Sequence, residues 1–203
     1  MKLSERLLEL WGIPYKIDNV MYKEILEKKL ARIPLDFQDT RNVYNMAMLT
    51  LKAIADDDKL HAYIFGSVGT GKTYISFEIL KIIWRMQLPG RFVLFQKDIH
   101  QLTNKEDLSA YTEMISSYKG LLIIDEMFYD DASYGKIGAY IYDMLNNRFI
   151  DHYPTIITTN HSPDDVENLI PDPRITRRIH DYCYITEKTT KYGWAKCQND
   201  SEG

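Results

Sequence analysis

Cysteine is scarce in this chain of 203 residues, and long apolar runs are missing from it. The two cysteines, Cys183 and Cys197, lie far apart and match no metal-binding spacing. We therefore expect reduced thiols in a cytoplasmic protein rather than a disulfide framework. No run of about 18 apolar residues occurs, so the sequence predicts no membrane span. The first residues also lack the apolar core of a secretory signal.

An excess of positive charge is also absent, since the formal net charge is −4. This balance argues against a protein covered by nucleic acid over its whole surface, although a local basic groove remains compatible with it. Hydrophobic residues make up 45% of the chain and charged residues 27%, which is typical of a globular protein. The length suits one main domain with at most a small appendage.

The most informative segment is a glycine-rich stretch with the pattern G-x-x-x-x-G-K-T. Its glycines allow a tight turn whose N–H groups face a phosphate, and the helix that follows directs its positive end to the same place. Lys72 would reach the β and γ phosphates of ATP, and the hydroxyl of Thr73 would contact Mg²⁺. The predicted nucleotide-binding residues are Gly66, Ser67, Val68, Gly69, Thr70, Gly71, Lys72 and Thr73.

The context of this stretch favours a phosphate-binding loop over a solvated glycine-rich turn. Residues 61–65 form a short apolar run of the strand type, and apolar residues recur at helical spacing from Ile75 to Met86. Further along the chain, helical patterns alternate with predicted strands, which indicates an α/β fold with a five-stranded parallel sheet between helices. The predicted strands are residues 61–65, 91–95, 121–124, 155–158 and 182–185.

Polar residues follow two of these strands, at the edge where ligands bind in such sheets. Asp125 and Glu126 end the apolar run at 121–124. Asp125 would hold Mg²⁺, and Glu126 would accept a proton from the attacking water or orient it. A solvated turn is the alternative. Asn160 follows the fourth strand, where its amide would contact the γ phosphate and the water, unless it is only a turn residue.

The densest cationic cluster lies at residues 172–179. Arg178 is the predicted arginine finger, which would neutralise charge on a neighbouring subunit's γ phosphate, and Arg174 lies one helical turn earlier as its helper. Contact with nucleic-acid phosphates and simple helix solvation are the alternatives. The sequence leaves all three open.

These motifs in this order resemble the AAA+ ATPases, and within them the DnaC/IstB-like group, which includes bacterial and phage helicase loaders. The resemblance covers roughly residues 33–186, judged by motif order. It rests on the phosphate-binding loop, on Asp125 and Glu126, on residues 33–39, 147–149 and 154–160, and on Arg174 with Arg178.

The resemblance implies a Mg²⁺-dependent ATPase that assembles into an ATP-bridged oligomer, with Arg178 acting on a neighbour's nucleotide. It also implies an N-terminal element that grips a hexameric replicative helicase and a core that engages single-stranded DNA. We accordingly expect a helical partner-binding element at residues 1–32 and an AAA+ ATPase core at residues 33–203, with no C-terminal lid domain. A phage or mobile-element origin would fit the short N-terminal part.

Several functions compete on this evidence. The first is a DNA replication protein that loads or recruits the helicase. The second is an IstB-like transposition helper ATPase acting on duplex DNA. A small-molecule kinase is disfavoured, because Glu126 and the arginine pair favour water as the nucleophile. A module that blocks a helicase without ATP turnover is disfavoured by the intact Lys72, Thr73 and Glu126.

Overall fold

The computed structural model describes residues 40–56, 59–86, 88–102, 104–128, 134–190 and 193–196. The predicted element at residues 1–32 therefore lies outside the described residues, as do residues 33–39. In the described part the elements follow in this order: α1 (Thr40–Asp56), β1 (His61–Phe65), α2 (Lys72–Arg85), β2 (Gly90–Leu94), α3 (Phe95–Ile99), α4 (Lys105–Ser117), β3 (Leu121–Asp125), α5 (Tyr134–Ile150), β4 (Thr155–Thr158), α6 (Pro163–Leu169), α7 (Pro173–Tyr182), β5 (Cys183–Thr190) and β6 (Gly193–Lys196).

The strands form one sheet in the order β2-β3-β4-β1-β5-β6. The first five strands along the chain pair in parallel, which confirms the predicted five-stranded parallel sheet between helices. β6 adds a sixth, antiparallel strand beside β5. The sequence did not predict it, because four residues that include a glycine and a lysine lack the apolar run that marks a buried strand.

The sheet is covered on both faces because its central strands alternate apolar side chains between two cores. On one face, Ile64 and Ile123 pack with the apolar sides of α1 and α2. On the other face, Tyr63 and Ile124 pack with residues of α4, α5, α6 and α7. Burial on both sides explains the continuous apolar run of β3, all five residues of which are buried. No helix in the described ranges is long and apolar enough to cross a bilayer.

Several strand boundaries differ from the sequence-based prediction, and at two of them an aromatic residue belongs to the neighbouring helix. β2 ends at Leu94, and Phe95 begins α3 with its ring fully buried and 6.1 Å from the ring of Tyr111. β5 begins at Cys183, because Tyr182 is still part of α7 and stacks on Phe149 at 5.7 Å. In both cases an aromatic residue that fits a strand by propensity is held in a helix by its tertiary contact.

Arg148 braces the end of the sheet that lies opposite the strand carboxyl ends. Its guanidinium is fully buried and donates to the hydroxyl of Thr155 at 2.8 Å. Its other acceptors are backbone carbonyls at the end of α4 and before β3 and β4, those of Ile115, Tyr118, Gly120, Tyr153 and Pro154. Burial lowers the pKa of Arg148 to about 9. One side chain of α5 thus joins two chain segments, residues 115–120 and residues 153–155.

Candidate active site

The strand order brings three polar strand ends side by side. β4 pairs with β1 on one side and with β3 on the other. The segment after β1 is the glycine-rich loop, β3 ends at Asp125, and Asn160 follows β4. Because parallel strands end at the same edge of a sheet, residues from distant parts of the sequence meet there.

The glycine-rich loop has a backbone that only glycine tolerates at its start. Gly66 has a φ of 142°, and a Cβ atom at this position would lie 2.2 Å from the carbonyl oxygen of Lys188 on β5. The loop then turns through a hydrogen bond from the Thr70 hydroxyl to the Ser67 carbonyl at 2.8 Å. Gly71, with a φ of 89°, precedes α2. The positive end of α2 therefore faces the loop, as an anion site requires.

Lys72 folds back over this loop. Its ammonium donates to the carbonyl oxygens of Gly66 at 2.6 Å and Ser67 at 2.9 Å, and to the side-chain oxygen of Asn160 at 2.9 Å. Burial lowers the pKa of Lys72, while the negative charges of Asp125 and Glu126 oppose that shift. The ammonium thus occupies a polar cradle from which it can move to phosphate oxygens.

Lys188 adds a second buried cation near this cradle, one that sequence reasoning missed. It lies on β5 directly beside Gly66, and its side chain is inaccessible to solvent. Burial, and then the charge of Lys72, lower the pKa of Lys188 to about 8. A lysine after an apolar strand carries no sequence signal that separates it from an ordinary surface residue.

Asp125 is the buried carboxylate of the site, with no solvent exposure. The hydroxyl of Thr73 lies 3.1 Å from its Oδ1 and 3.0 Å from its Oδ2. The hydroxyl of Thr158 donates to the same Oδ1. Sequence reasoning placed Thr158 in a strand and gave it no role, since only the strand order puts it beside Asp125.

The donor set of Asp125 and Thr73 fits Mg²⁺. Both side chains offer oxygen, the ligand type that this ion prefers, and Mg²⁺ commonly takes one or two protein oxygens and completes its shell with phosphates and water. Among the described residues, no group of three or more histidine, cysteine and carboxylate side chains forms a separate metal cluster. A site to which the protein contributes only one or two oxygen ligands suits an ion that binds together with a nucleotide.

Glu126 and Asn160 lie at the solvent side of the edge, and both are exposed. Glu126 has a φ of 56°, in the left-handed region that side chains rarely adopt, and its N–H donates to the Thr158 hydroxyl at 3.3 Å. Asn160 lies in the short connection between β4 and Ser162, the N-cap residue of α6. Residues held in sparsely populated backbone conformations cluster at functional sites.

The two predicted arginines lie on α7, and their contacts in the described part of the chain are with residues outside the loop. Arg178 donates to the Tyr182 hydroxyl at 3.1 Å. Arg174 pairs with Asp172 at 2.7 Å and lies 4.0 Å from the centre of the Tyr142 ring, with its side chain 61% exposed. The structure thus brings together Lys72, Thr73, Asp125 and Asn160, with Glu126 adjacent to them, and leaves the arginines apart.

Several solved structures share this fold. The structure of DnaI matches with a TM-score of 0.55 at 16% identity, covering 93% of this chain and 97% of that one. The DnaC helicase loader matches with a TM-score of 0.55 at 20% identity, covering 71% and 89%. The replication initiator DnaA bound to AMPPCP and single-stranded DNA matches with a TM-score of 0.51 at 16% identity, covering 69% and 45%.

The sequence carries a family signal over most of its length. The model of the IstB-like ATP binding proteins matches residues 19–188. No curated protein sequence matches the chain significantly. The resemblance predicted from the motifs is confirmed by the family match and by the fold shared with DnaI and DnaC, and the chain belongs to the IstB-like ATP-binding proteins.

Proposed function

We propose that the chain binds ATP with Mg²⁺ at the edge formed by β1, β3 and β4, hydrolyses it, and uses this cycle to load or recruit a hexameric replicative helicase onto DNA. The observation that carries the nucleotide chemistry is the convergence of Lys72, Thr73, Asp125 and Asn160 around one loop. Lys72 would provide a cation for the triphosphate, Thr73 and Asp125 would provide oxygens for Mg²⁺, and Asn160 would provide an amide.

Different residues would carry out the separate steps of hydrolysis. The N–H groups of the loop and the Lys72 ammonium bind the phosphates, and Thr73 with Asp125 would hold Mg²⁺. Bound Mg²⁺ would neutralise charge on the β and γ phosphates. Glu126 would accept a proton from water as the new bond to the γ phosphorus forms and the bond to the bridging oxygen breaks, releasing ADP and phosphate. Asn160 would orient that water.

Arg178 is proposed to act on the nucleotide of a neighbouring subunit. It lies on α7 and bonds to Tyr182 rather than to the loop of its own chain. An arginine supplied by a partner can stabilise the charge of the transition state. This role implies self-assembly into an oligomer with ATP at the junctions, with Arg174 as a helper on the same helix face four residues earlier.

The helicase and DNA are proposed as partners on the strength of the family. The chain shares its fold with a protein described as a helicase loader and with an initiator described as bound to single-stranded DNA. Residues 1–32 are the proposed helicase-binding element. Within this element, the apolar spacing of residues 20–31 predicts a helix with Met21, Ile25, Leu26 and Leu30 on one face.

Native mass spectrometry of the full chain with a hexameric replicative helicase from the same genome tests this function. We expect a joint complex whose stoichiometry depends on ATP. Substitution of Ile25 and Leu26 by aspartate should abolish the complex, because it places charge on the apolar face. Exchange of Glu27 for lysine, on the opposite face, is the matched control and should leave the complex intact.

Three other results would contradict helicase loading, favour the alternative function or exclude the predicted contact face. A chain that never joins the helicase, with or without ATP, would contradict helicase loading. ATP-dependent assembly on duplex DNA without any helicase contact would instead favour the transposition helper. Loss of the helicase complex in both the aspartate pair and the Glu27 control would show that the predicted face is not the contact.

A further inference from the structure

Thr158 lies at the centre of the polar edge. It is the last residue of β4, the strand between β1, which leads into the phosphate-binding loop, and β3, which carries Asp125. Its side chain is 1% exposed. Its neighbours in the strand, Ile156 and Ile157, are buried apolar residues. A hydroxyl at this depth is unfavourable unless it is hydrogen-bonded.

The Thr158 hydroxyl is bonded on both sides. It donates to Oδ1 of Asp125 and accepts the N–H of Glu126 at 3.3 Å. The Thr158 carbonyl accepts the N–H of Met127 at 3.0 Å. Three contacts from one residue therefore hold the segment of Asp125, Glu126 and Met127 against β4.

The hydrogen bond from Thr158 restricts the orientation of the Asp125 carboxylate. A hydroxyl on one oxygen fixes the rotation of the group, so that both oxygens stay within 3.1 Å of the Thr73 hydroxyl. Groups that hydrogen-bond a metal-binding carboxylate orient it and change its affinity for the metal. Thr158 is in the position to do this without touching the ion.

The hydrogen bonds to Thr158 also support the backbone conformation of Glu126. With a φ of 56°, Glu126 needs outside contacts to stay in the left-handed region. Its N–H bond to Thr158 is one such contact, and the Met127 N–H bond closes the same turn. Removal of the Thr158 hydroxyl would abolish the first of these two hydrogen bonds.

We infer that Thr158 is a positioning residue of this site, which through a single hydroxyl orients the Asp125 carboxylate toward Thr73 and holds the turn that presents Glu126. This inference rests on the proposed function, because it takes Asp125 as the Mg²⁺ ligand and Glu126 as the base. Thr158 is not a catalytic residue, since it acts through its two neighbours.

Thr158→Val tests the inference, because valine has nearly the same shape and fits a strand but lacks the hydroxyl. The binding of a fluorescent ATP analogue is followed during a Mg²⁺ titration, and steady-state hydrolysis is measured alongside. The Mg²⁺ concentration for half-maximal binding should rise about 10- to 100-fold. Affinity for the analogue in EDTA should stay unchanged, and kcat should fall.

Two matched variants separate positioning from general damage. Thr158→Ser keeps the hydroxyl and should restore the wild-type Mg²⁺ requirement. Thr155→Val removes another buried hydroxyl from the same strand, at the end where it bonds to Arg148 and the Tyr153 carbonyl. This control should lower stability without changing the Mg²⁺ requirement. If Thr158→Val does not fold, Thr158→Ala takes its place in the comparison.

The results are decisive in either direction. A wild-type Mg²⁺ requirement in Thr158→Val, or the same shift in Thr155→Val or Thr158→Ser, would overturn the inference while leaving the proposed function standing. A wild-type chain that binds no nucleotide at any Mg²⁺ concentration would overturn both. A shift confined to the variants that lack the Thr158 hydroxyl supports the inference.

Discussion

The ammonium of Lys72 lies 2.9 Å from the side-chain oxygen of Asn160, although 88 residues separate the two in the sequence. This bond joins the glycine-rich loop to the segment after β4. The same ammonium also bonds to two carbonyls of the loop. When a triphosphate binds, we expect Lys72 to leave these oxygens for phosphate oxygens and Asn160 to lose its cationic partner. The pair would therefore change with the nucleotide state.

Lys72→Ala should lower ATP affinity by at least about 100-fold, because charge-assisted hydrogen bonds contribute about 1.5–3 kcal/mol each and 1.4 kcal/mol is a factor of ten. Isothermal titration calorimetry measures this affinity. Lys81→Ala is the control, since Lys81 lies on the same helix and pairs with Glu78 at 2.7 Å. Unchanged affinity in Lys72→Ala would remove the basis for the nucleotide site.

Arg178→Ala should lower the rate of ATP hydrolysis by the homogeneous assembly about 10³-fold or more if Arg178 is an arginine finger. Mixing Arg178→Ala subunits with Lys72→Ala subunits should recover part of it, because some junctions then combine an intact loop with an intact arginine. Arg177→Ala is the control, as Arg177 is 83% exposed and lies near Asp181. A mixture without any recovery would contradict action between subunits.

Arg148→Met should destabilise the fold by an amount on the order of 3 kcal/mol, because each buried carbonyl left without a donor costs about 1–3 kcal/mol and some will find water. Urea unfolding measures the free energy of unfolding. Arg85→Met is the control, since the Arg85 side chain is 65% exposed and such a change usually alters stability by less than about 0.5 kcal/mol. Equal losses in the two variants would refute the bracing role.

Stability should fall in mild acid because of His61. This side chain is buried at the start of β1, with its ring 4.5 Å from that of Phe149. Burial, followed by the positive charges of Arg148, His152 and Lys59, lowers the pKa of His61 from 6.5 to about 3. Between these values the unfolded chain binds a proton that the folded chain does not. The free energy of unfolding should therefore decrease as the pH falls, by at most about 1.4 kcal/mol per pH unit.

His61→Phe should remove this contribution. Between pH 7 and pH 5, the wild type should lose about 2 kcal/mol more stability than the variant. Urea unfolding at both pH values gives the difference, and His100→Gln serves as a control because His100 is exposed. An identical pH dependence in the wild type and His61→Phe would show that His61 does not carry the effect.

Local patterns sufficed to predict the loop and the end of β3. Eight consecutive residues define the loop, and an apolar strand that ends in Asp125 needs no knowledge of its neighbours. The alternation of strands and helices likewise predicted the parallel sheet. These features depend on residues that are close in sequence.

The remaining features depend on strand order. Nothing in the chain near Thr158 states that β4 lies between β1 and β3, so its contact with Asp125 was not predictable. Arg148 likewise donates to carbonyls of residues 115–120, which lie 28 to 33 positions before it in the chain. The functional roles of the loop at residues 66–73 and of Asp125, Glu126, Asn160, Arg174 and Arg178 stay predictions, as do the domain limits at residues 1–32 and 33–203.

Glu126→Gln is the sharpest test of ATP hydrolysis by this chain, because it separates nucleotide binding from hydrolysis. Glutamine keeps the size of the side chain but cannot accept a proton as a carboxylate does, so the account predicts unchanged ATP affinity and a kcat lowered by about 10²- to 10⁴-fold. Calorimetry and phosphate release measure the two quantities on the same preparation. Turnover equal to that of the wild type would contradict the account.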